Sequence, residues 1–183
     1  MPRCKGPGIV VLDRDGVINV DSADYIKSAD EWIPLPGSIS AIANLCAKGY
    51  QIYLATNQAG LARGLFDLPA LQEMHSKLKK LVEEEGGSIA GIFFCPHHPN
   101  DACDCRKPKP GLLRQIEHAA STSLIGQPFV GDSLKDIQAA SAIGARPILV
   151  RTGNGRTTEA ELLDSTIEIF DDLSSFAEHM PSI

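Results

Sequence analysis

Short apolar runs alternate along this chain with segments of helical periodicity. Runs at residues 9–12, 50–55, 89–94, 128–130, 147–150 and 167–170 have the length of buried strands. Between them, residues 38–48 end at Gly49, a favourable residue just past a helix end. Asp67 and Pro69 open a segment that carries Leu71, Met74, Leu78, Leu81 and Val82 on one face and stops at Gly86-Gly87. Further helices are expected from Pro110-Gly111, over residues 134–143 before Gly144, and over residues 173–179. Strands separated by helices predict βαβ units, so the expected fold is α/β: a three-layer, Rossmann-like, mainly parallel sheet with helices on both faces. At 183 residues the chain has the size of a single domain spanning 1–183. Its longest irregular stretches, about 20–36 and 95–109, follow strands, where open α/β sheets place their ligands.

Composition narrows the class of function. Hydrophobic residues make up 43% and charged residues 22%, as in ordinary folded domains, which argues against disorder and fibrous architecture. A net charge of −6 leaves no broad basic surface, so no nucleic-acid partner is expected. No apolar run nears the roughly 20 residues that span a bilayer, and Met1 to Gly8 lacks the apolar centre of a signal peptide. The expectation is a cytoplasmic monomer without a membrane partner. Of five cysteines, three fall within residues 95–105, which favours a metal site in a reducing compartment over a disulfide framework.

The candidate chemistry sits at strand ends. Asp13 and Asp15 follow the first apolar run and precede Gly16, so one carboxylate is aimed into the crevice and the second lies near the same ligand. Thr56, Asn57 and Gln58 follow the second run and offer a hydroxyl and amides to phosphate oxygens. Gly131 and Asp132 follow the fourth; a carboxylate there could join Asp13 on Mg²⁺, while Asp132 or Ser133 could equally cap the next helix, with Asp136 in its first turn. Cys95, His97, Cys103 and Cys105 supply a closed Cys₃His set for a structural Zn²⁺, His97 being preferred over His98 because the C-x-H step lets two side chains converge. Directly after this loop, Arg106 can grip substrate oxygens and Lys107 can neutralise a phosphoryl group, with Lys109 as the alternative cation.

Taken in order, Asp13-Arg-Asp15-Gly, Thr56-Asn57, Lys107 and Gly131-Asp132 resemble the four motifs of the haloacid dehalogenase superfamily of phosphatases. The pattern C-x-H-x₅-C-x-C-R-K is similar to that of a zinc-loop subgroup with no large cap domain. The resemblance implies Asp13 as nucleophile, Asp15 as general acid and then general base, and Thr56 and Lys107 as stabilisers of the transferring phosphoryl group. It implies Mg²⁺ on Asp13, Asp132 and the backbone carbonyl of Asp15, and substrate contacts from Arg106, Asn57, Gln58, Ser133 and the segment holding Asp21, Asp24 and Tyr25. That segment is one residue longer than the family pattern, and Ser133 stands where a Lys often follows the fourth-motif acid. The implied reaction releases the 7-phosphate of a heptose 1,7-bisphosphate, a small phosphorylated sugar on the route to lipopolysaccharide heptose. Alternatives are histidinol phosphate or another small ester and, from a different class, a non-catalytic zinc scaffold or phospho-ligand binder.

Overall fold

The computed structural model describes residues 8–162 and 166–183; Cys4 and most of the Met1–Gly8 stretch lie outside them. In chain order the elements are β1 (Ile9–Leu12), α1 (Ser38–Ala47), β2 (Gln51–Asn57), α2 (Ala59–Ala62), α3 (Leu68–Glu84), β3 (Gly91–Cys95) and α4 (Gly111–Ala120). They continue with β4 (Pro128–Gly131), α5 (Leu134–Ala142), β5 (Arg146–Val150), α6 (Gly155–Glu161), β6 (Glu168–Phe170) and α7 (Leu173–His179). All six strands join one parallel sheet in the order β3-β2-β1-β4-β5-β6. The order reverses between β1 and β4, so a crevice opens above the carboxyl ends of these two central strands.

The period-two alternation of strand side chains divides the interior into two layers. Val10, Leu12, Ile52, Leu54, Val130, Ile148 and Val150 face α1, α3 and α7, where Ile42, Leu45, Leu71, Leu78 and Phe176 meet them. Ile9, Val11, Tyr53, Ala55 and Phe129 face α4 and α5, against Leu112, Leu113, Ile116, Ala139 and Ala140. The expected three layers are therefore present. No helix among the described residues is long and apolar enough to cross a membrane.

Element boundaries depart from the sequence expectation where polar residues join strands. β2 runs on through Thr56 and Asn57 because these pair with Phe94 and Cys95 of β3, which itself begins at Gly91. The short helices α2 and α6 have no counterpart in the periodicity, since four and seven residues are too few to display an apolar stripe. α3 starts as expected: the Asp67 carboxylate accepts the Ala70 N–H at 2.9 Å and Pro69 lies in the first turn. It also anchors the long segment after β1. Lys77 of α3 donates to the carbonyls of Ala29 and Trp32 at 2.6 and 2.8 Å, and the Trp32 ring is fully buried.

α3 contributes one buried ionisable group, His75, which packs on Phe94 and lies 3.4 Å from the buried Arg14 guanidinium. Because Arg14 can only donate, the facing Nε2 of His75 accepts and the ring is neutral. Burial, and then the Arg14 charge, push His75 down to about 3. The fold thus keeps His75 neutral while the unfolded chain protonates it below about 6.5, so stability falls as pH drops from there toward 3. At pH 5 the loss amounts to about 2 kcal/mol relative to pH 8. His75→Gln, which keeps an acceptor for Arg14, is expected to reduce the difference in urea-unfolding free energy between these two pH values by about that amount. Identical pH dependence in variant and wild type would show that the imidazole is not held neutral.

Candidate active site

The chain leaves β1 at Asp13, whose backbone N–H is bonded to the Val130 carbonyl of β4 at 2.9 Å. That bond fixes the first acid over the switch point of the sheet. Asp13 Oδ1 accepts from the Arg14 backbone N–H at 2.7 Å and lies 2.9 Å from Lys107 Nζ. Its Oδ2 accepts no hydrogen bond among the described residues. One carboxylate oxygen is therefore pinned and the other is free to act.

Lys107 is almost fully buried; its ammonium donates to the Ala55 carbonyl at 2.8 Å and forms ion pairs with Asp13 at 2.9 Å and Asp136 at 2.6 Å. Burial opposes its charge, but Asp13 and then Asp136 more than offset this and raise its pKa. Asn57 holds the same residue by its backbone, accepting from the Lys107 N–H and donating to its carbonyl, each at 3.1 Å. Asn57 thus lines the cavity and also ties β2 to the segment behind the cysteine loop.

The second acid has a different environment. Asp15 receives a forked pair from Arg14, Nε and Nη2 at 3.1 and 2.9 Å to Oδ1, as well as Asn19 Nδ2 and Gln58 Nε2 at 2.9 Å each. Burial works to raise its pKa, but the Arg14 charge and these hydrogen bonds outweigh it, so Asp15 is held ionised below the usual carboxylate range. Gln58 also donates to Thr56 Oγ1 at 2.9 Å, which orients the hydroxyl of a residue that is nearly fully buried.

Asp132, after β4, lies with Asp13 and Asp136 in a group that brings one carboxylate oxygen from each residue within 4.8 Å of the others. The backbone and side-chain N–H groups of Asn154 donate to Asp132 Oδ2 at 2.8 and 3.2 Å, and Thr158 donates to its backbone carbonyl. Burial and then the Asp136 charge push Asp132 up to about 7; the same two causes raise Asp13 well above its ordinary range. Three carboxylates thus cluster around one ammonium, which pairs with two of them, leaving two negative charges in excess. A divalent cation with oxygen ligands fits this donor set. Gly16, at φ 80°, permits the packing, since a Cβ there would strike the Asp132 carboxylate; a Cβ on Gly131 would strike Asp136.

These groups line an open cavity of about 210 Å³ together with Arg106, Asp21, Ser22, Tyr25 and Lys135. Asp21 is exposed and accepts from Asn154 at 3.3 Å. Asp24 does not line the cavity: the turn places its backbone N–H on Ser22 Oγ and leaves the residue exposed, and Tyr25 re-enters the rim at φ 65°. Ser22 takes the position expected of Asp24. Ser133 lines the cavity, and as the N-cap residue of α5 its hydroxyl donates to Asp136 at 2.7 Å. Arg14, Ser22, Ile26, Lys135, Asp136 and Asn154 are the cavity and cluster residues not singled out as ligands in the sequence. Only Asp136, an acid following an apolar run, carried a local signal.

Beside the cavity, the ligand atoms of Cys95, His97, Cys103 and Cys105 converge within 4.8 Å. Cys95 and Cys103 sulfurs are 3.7 Å apart, and His97 Nδ1 lies 3.5 and 3.2 Å from the sulfurs of Cys95 and Cys105. A tetrahedral zinc with bonds of about 2.3 Å separates its thiolates by about 3.8 Å, so the spacing fits Zn²⁺. His98 turns away and accepts the Asn100 N–H. Lys109 points back to this loop, bonding the Cys103 carbonyl and Asp104, and takes no part in the cavity.

A family model described as HAD-hydrolase-like matches residues 104–176. The D-glycero-beta-D-manno-heptose-1,7-bisphosphate 7-phosphatase of Pseudomonas aeruginosa is 53% identical over 169 residues, covering 92% of this chain and 95% of that protein. The crystal structure of D,D-heptose 1,7-bisphosphate phosphatase from B. bronchiseptica, complexed with magnesium and phosphate, superposes with a TM-score of 0.91 at 49% identity. It covers 93% of this chain and 96% of its own. The corresponding protein from Burkholderia thailandensis gives a TM-score of 0.74 at 41% identity, with the same coverage. Identity of this degree over nearly the whole chain makes this protein a member of the haloacid dehalogenase superfamily of phosphatases, in the family of the heptose 1,7-bisphosphate 7-phosphatases.

Proposed function

We propose that the protein is a Mg²⁺-dependent phosphatase that removes the 7-phosphate of D-glycero-D-manno-heptose 1,7-bisphosphate through an aspartyl-phosphate on Asp13. One observation carries the reading: Asp13, with one oxygen clamped by Lys107 and the Arg14 N–H, lines the same cavity as Thr56, Asp15 and Asp132. Asp13 Oδ2 attacks phosphorus in line with the departing sugar oxygen. Lys107, whose charge lies 2.9 Å from the pinned oxygen, and the Thr56 hydroxyl offset charge on the phosphoryl oxygens. Mg²⁺ held by Asp13, Asp132 and the Asp15 backbone carbonyl would supply the two positive charges that the cluster lacks and draw charge from the same oxygens.

Asp15 serves both half-reactions. A phosphoryl dianion entering beside it opposes the effect of Arg14 and favours proton uptake, so the acid forms with the bound substrate and protonates the leaving oxygen. Ionised again and held by Arg14, it then takes a proton from the water that hydrolyses the acyl phosphate. Arg106 binds the sugar ester at the rim, with Asp21 and Tyr25, and Asn57 and Gln58 hold Lys107 and Thr56 in register. Cys95, His97, Cys103 and Cys105 would hold a structural Zn²⁺ that would order the loop carrying Arg106 and Lys107. The protein is read as a cytoplasmic monomer, and that compartment suits the free thiols of the cysteine loop.

The purified protein is expected to release phosphate from the heptose bisphosphate with a clearly higher kcat/KM than from histidinol phosphate. Asp13→Asn should keep its fold and zinc while losing on the order of a thousandfold or more in kcat. A preference for histidinol phosphate would overturn the substrate, and undiminished turnover by Asp13→Asn the nucleophile. Metal analysis should give about one Zn²⁺ per chain, and Cys103→Ser should lower both zinc content and thermal stability, because binding of a structural metal is coupled to folding. Zinc-free wild-type protein of equal stability would contradict the role given to the loop.

A further inference from the structure

His75 is the polar exception on an apolar helix face. α3 buries Leu71, Met74, Leu78 and Val82 beside it, and its ring packs on Phe94 with 6.0 Å between centroids. An imidazole at such a core position is costly to bury unless its polar atoms are used. Here Nε2 faces Nη1 of Arg14 at 3.4 Å, across 61 residues of sequence. It is the one partner of that Nη1 among the described residues, because the other contacts of the guanidinium run through Nε and Nη2.

Arg14 in turn holds the second acid of the site. Its Nε and Nη2 donate to Asp15 Oδ1 at 3.1 and 2.9 Å, and Nη2 also reaches Oδ2 at 3.1 Å. Asn19 and Gln58 each hold a single oxygen of that carboxylate, so Arg14 is the side chain that spans both oxygens and fixes the plane of the group. The N–H bonds of a guanidinium form a rigid planar fork, so whatever fixes Nη1 also fixes the direction of Nε and Nη2. Arg14 meets the cavity on one side and His75 on another. As the Asp13 oxygen bonds to phosphorus and the ester P–O bond breaks, the proton of Asp15 passes to the departing sugar oxygen. Asp15 must be aimed at that oxygen, and a small misplacement slows the step steeply.

We propose that His75 is a positioning residue for the first half-reaction: it fixes the far edge of Arg14, which aims the Asp15 carboxyl at the leaving oxygen. This rests on the phosphatase reading given above and deepens it. Without an acceptor at position 75 the buried Nη1 has no partner, and the guanidinium turns toward the cavity to find one, which takes its other edge off Asp15. The role needs an acceptor and no proton from the ring, so a side-chain amide can fill it. The consequence depends on the leaving group. A sugar oxygen departs only as it is protonated, whereas p-nitrophenolate is weakly basic and departs without a proton.

The test measures kcat/KM for the heptose 1,7-bisphosphate and for p-nitrophenyl phosphate in wild type, His75→Leu, His75→Met and His75→Gln. This quantity covers the steps up to release of the leaving group and excludes hydrolysis of the aspartyl-phosphate, which both esters share. Each apolar variant is expected to lose about tenfold or more on the heptose ester and less than about threefold on the aryl ester. His75→Gln should stay within about threefold of wild type on both. Equal losses on the two esters, or no loss on the heptose ester, in either apolar variant would overturn the positioning role while the phosphatase reading stands. So would a loss in His75→Gln as large as in the apolar variants. A wild type that leaves the heptose bisphosphate intact would overturn the phosphatase reading itself, and this inference with it.

Discussion

The buried Lys107 ammonium is the interaction on which the rest of the site depends. It joins three elements at one point: Asp13 at the end of β1, Asp136 in the first turn of α5 and the Ala55 carbonyl of β2. An ammonium at 2% exposure is tolerable only because the Ala55 carbonyl accepts from it and two carboxylates face it. Removal of one partner of such a pair generally costs about 3–5 kcal/mol, so the cluster constrains the fold as well as the reaction. The arrangement leaves negative charge in excess, since Asp132 joins Asp13 and Asp136 around a single cation. The same imbalance that raises Asp13 and Asp132 out of the ordinary carboxylate range is what a divalent ion would relieve.

A second buried cation gives the two acids of the Asp13-Arg14-Asp15 run their different properties. Arg14 points away from Asp13 and forks onto Asp15, with His75 of α3 behind it. Asp13 thus shares its cation with two other carboxylates, and Asp15 has one largely to itself. Residues two apart in sequence acquire opposite pKa shifts from partners on different elements. That contrast is what division of labour between a nucleophile and an acid–base group requires.

The cysteine loop does its work through position. Its four ligands lie within eleven residues, and the next two side chains are the cations of the site. Asn57 holds the Lys107 backbone from the end of β2, so the loop is fastened at the cysteines and again at the site. A small chain without a large insertion over the sheet can in this way present a fixed rim. The segment after β1 forms the opposite side of that rim, fastened to α3 by Lys77.

Features written locally were legible in the sequence. An apolar run ending in an acid marked Asp13, Asp15 and Asp132, and the Cys₃His spacing marked the loop. Groups whose meaning depends on a distant partner were not: His75 sits at a core position of an amphipathic helix, and nothing in its neighbours reveals Arg14 across the interior. Asn154 follows β5 in the run Thr-Gly-Asn-Gly, which reads as a plain turn, and α6 is too short to show a stripe. Asp24 stays outside the cavity lining because of a turn that ends in a left-handed Tyr25, a geometry the residue types alone do not reveal. The central claim, that Asp13 beside Lys107 receives the phosphoryl group, is tested most directly by a crystal structure with Mg²⁺ and beryllium fluoride, a mimic of an acyl phosphate. The account predicts beryllium bonded to the Asp13 carboxylate, with fluorine atoms facing Lys107 and Thr56; beryllium on Asp132 or Asp15 would contradict it.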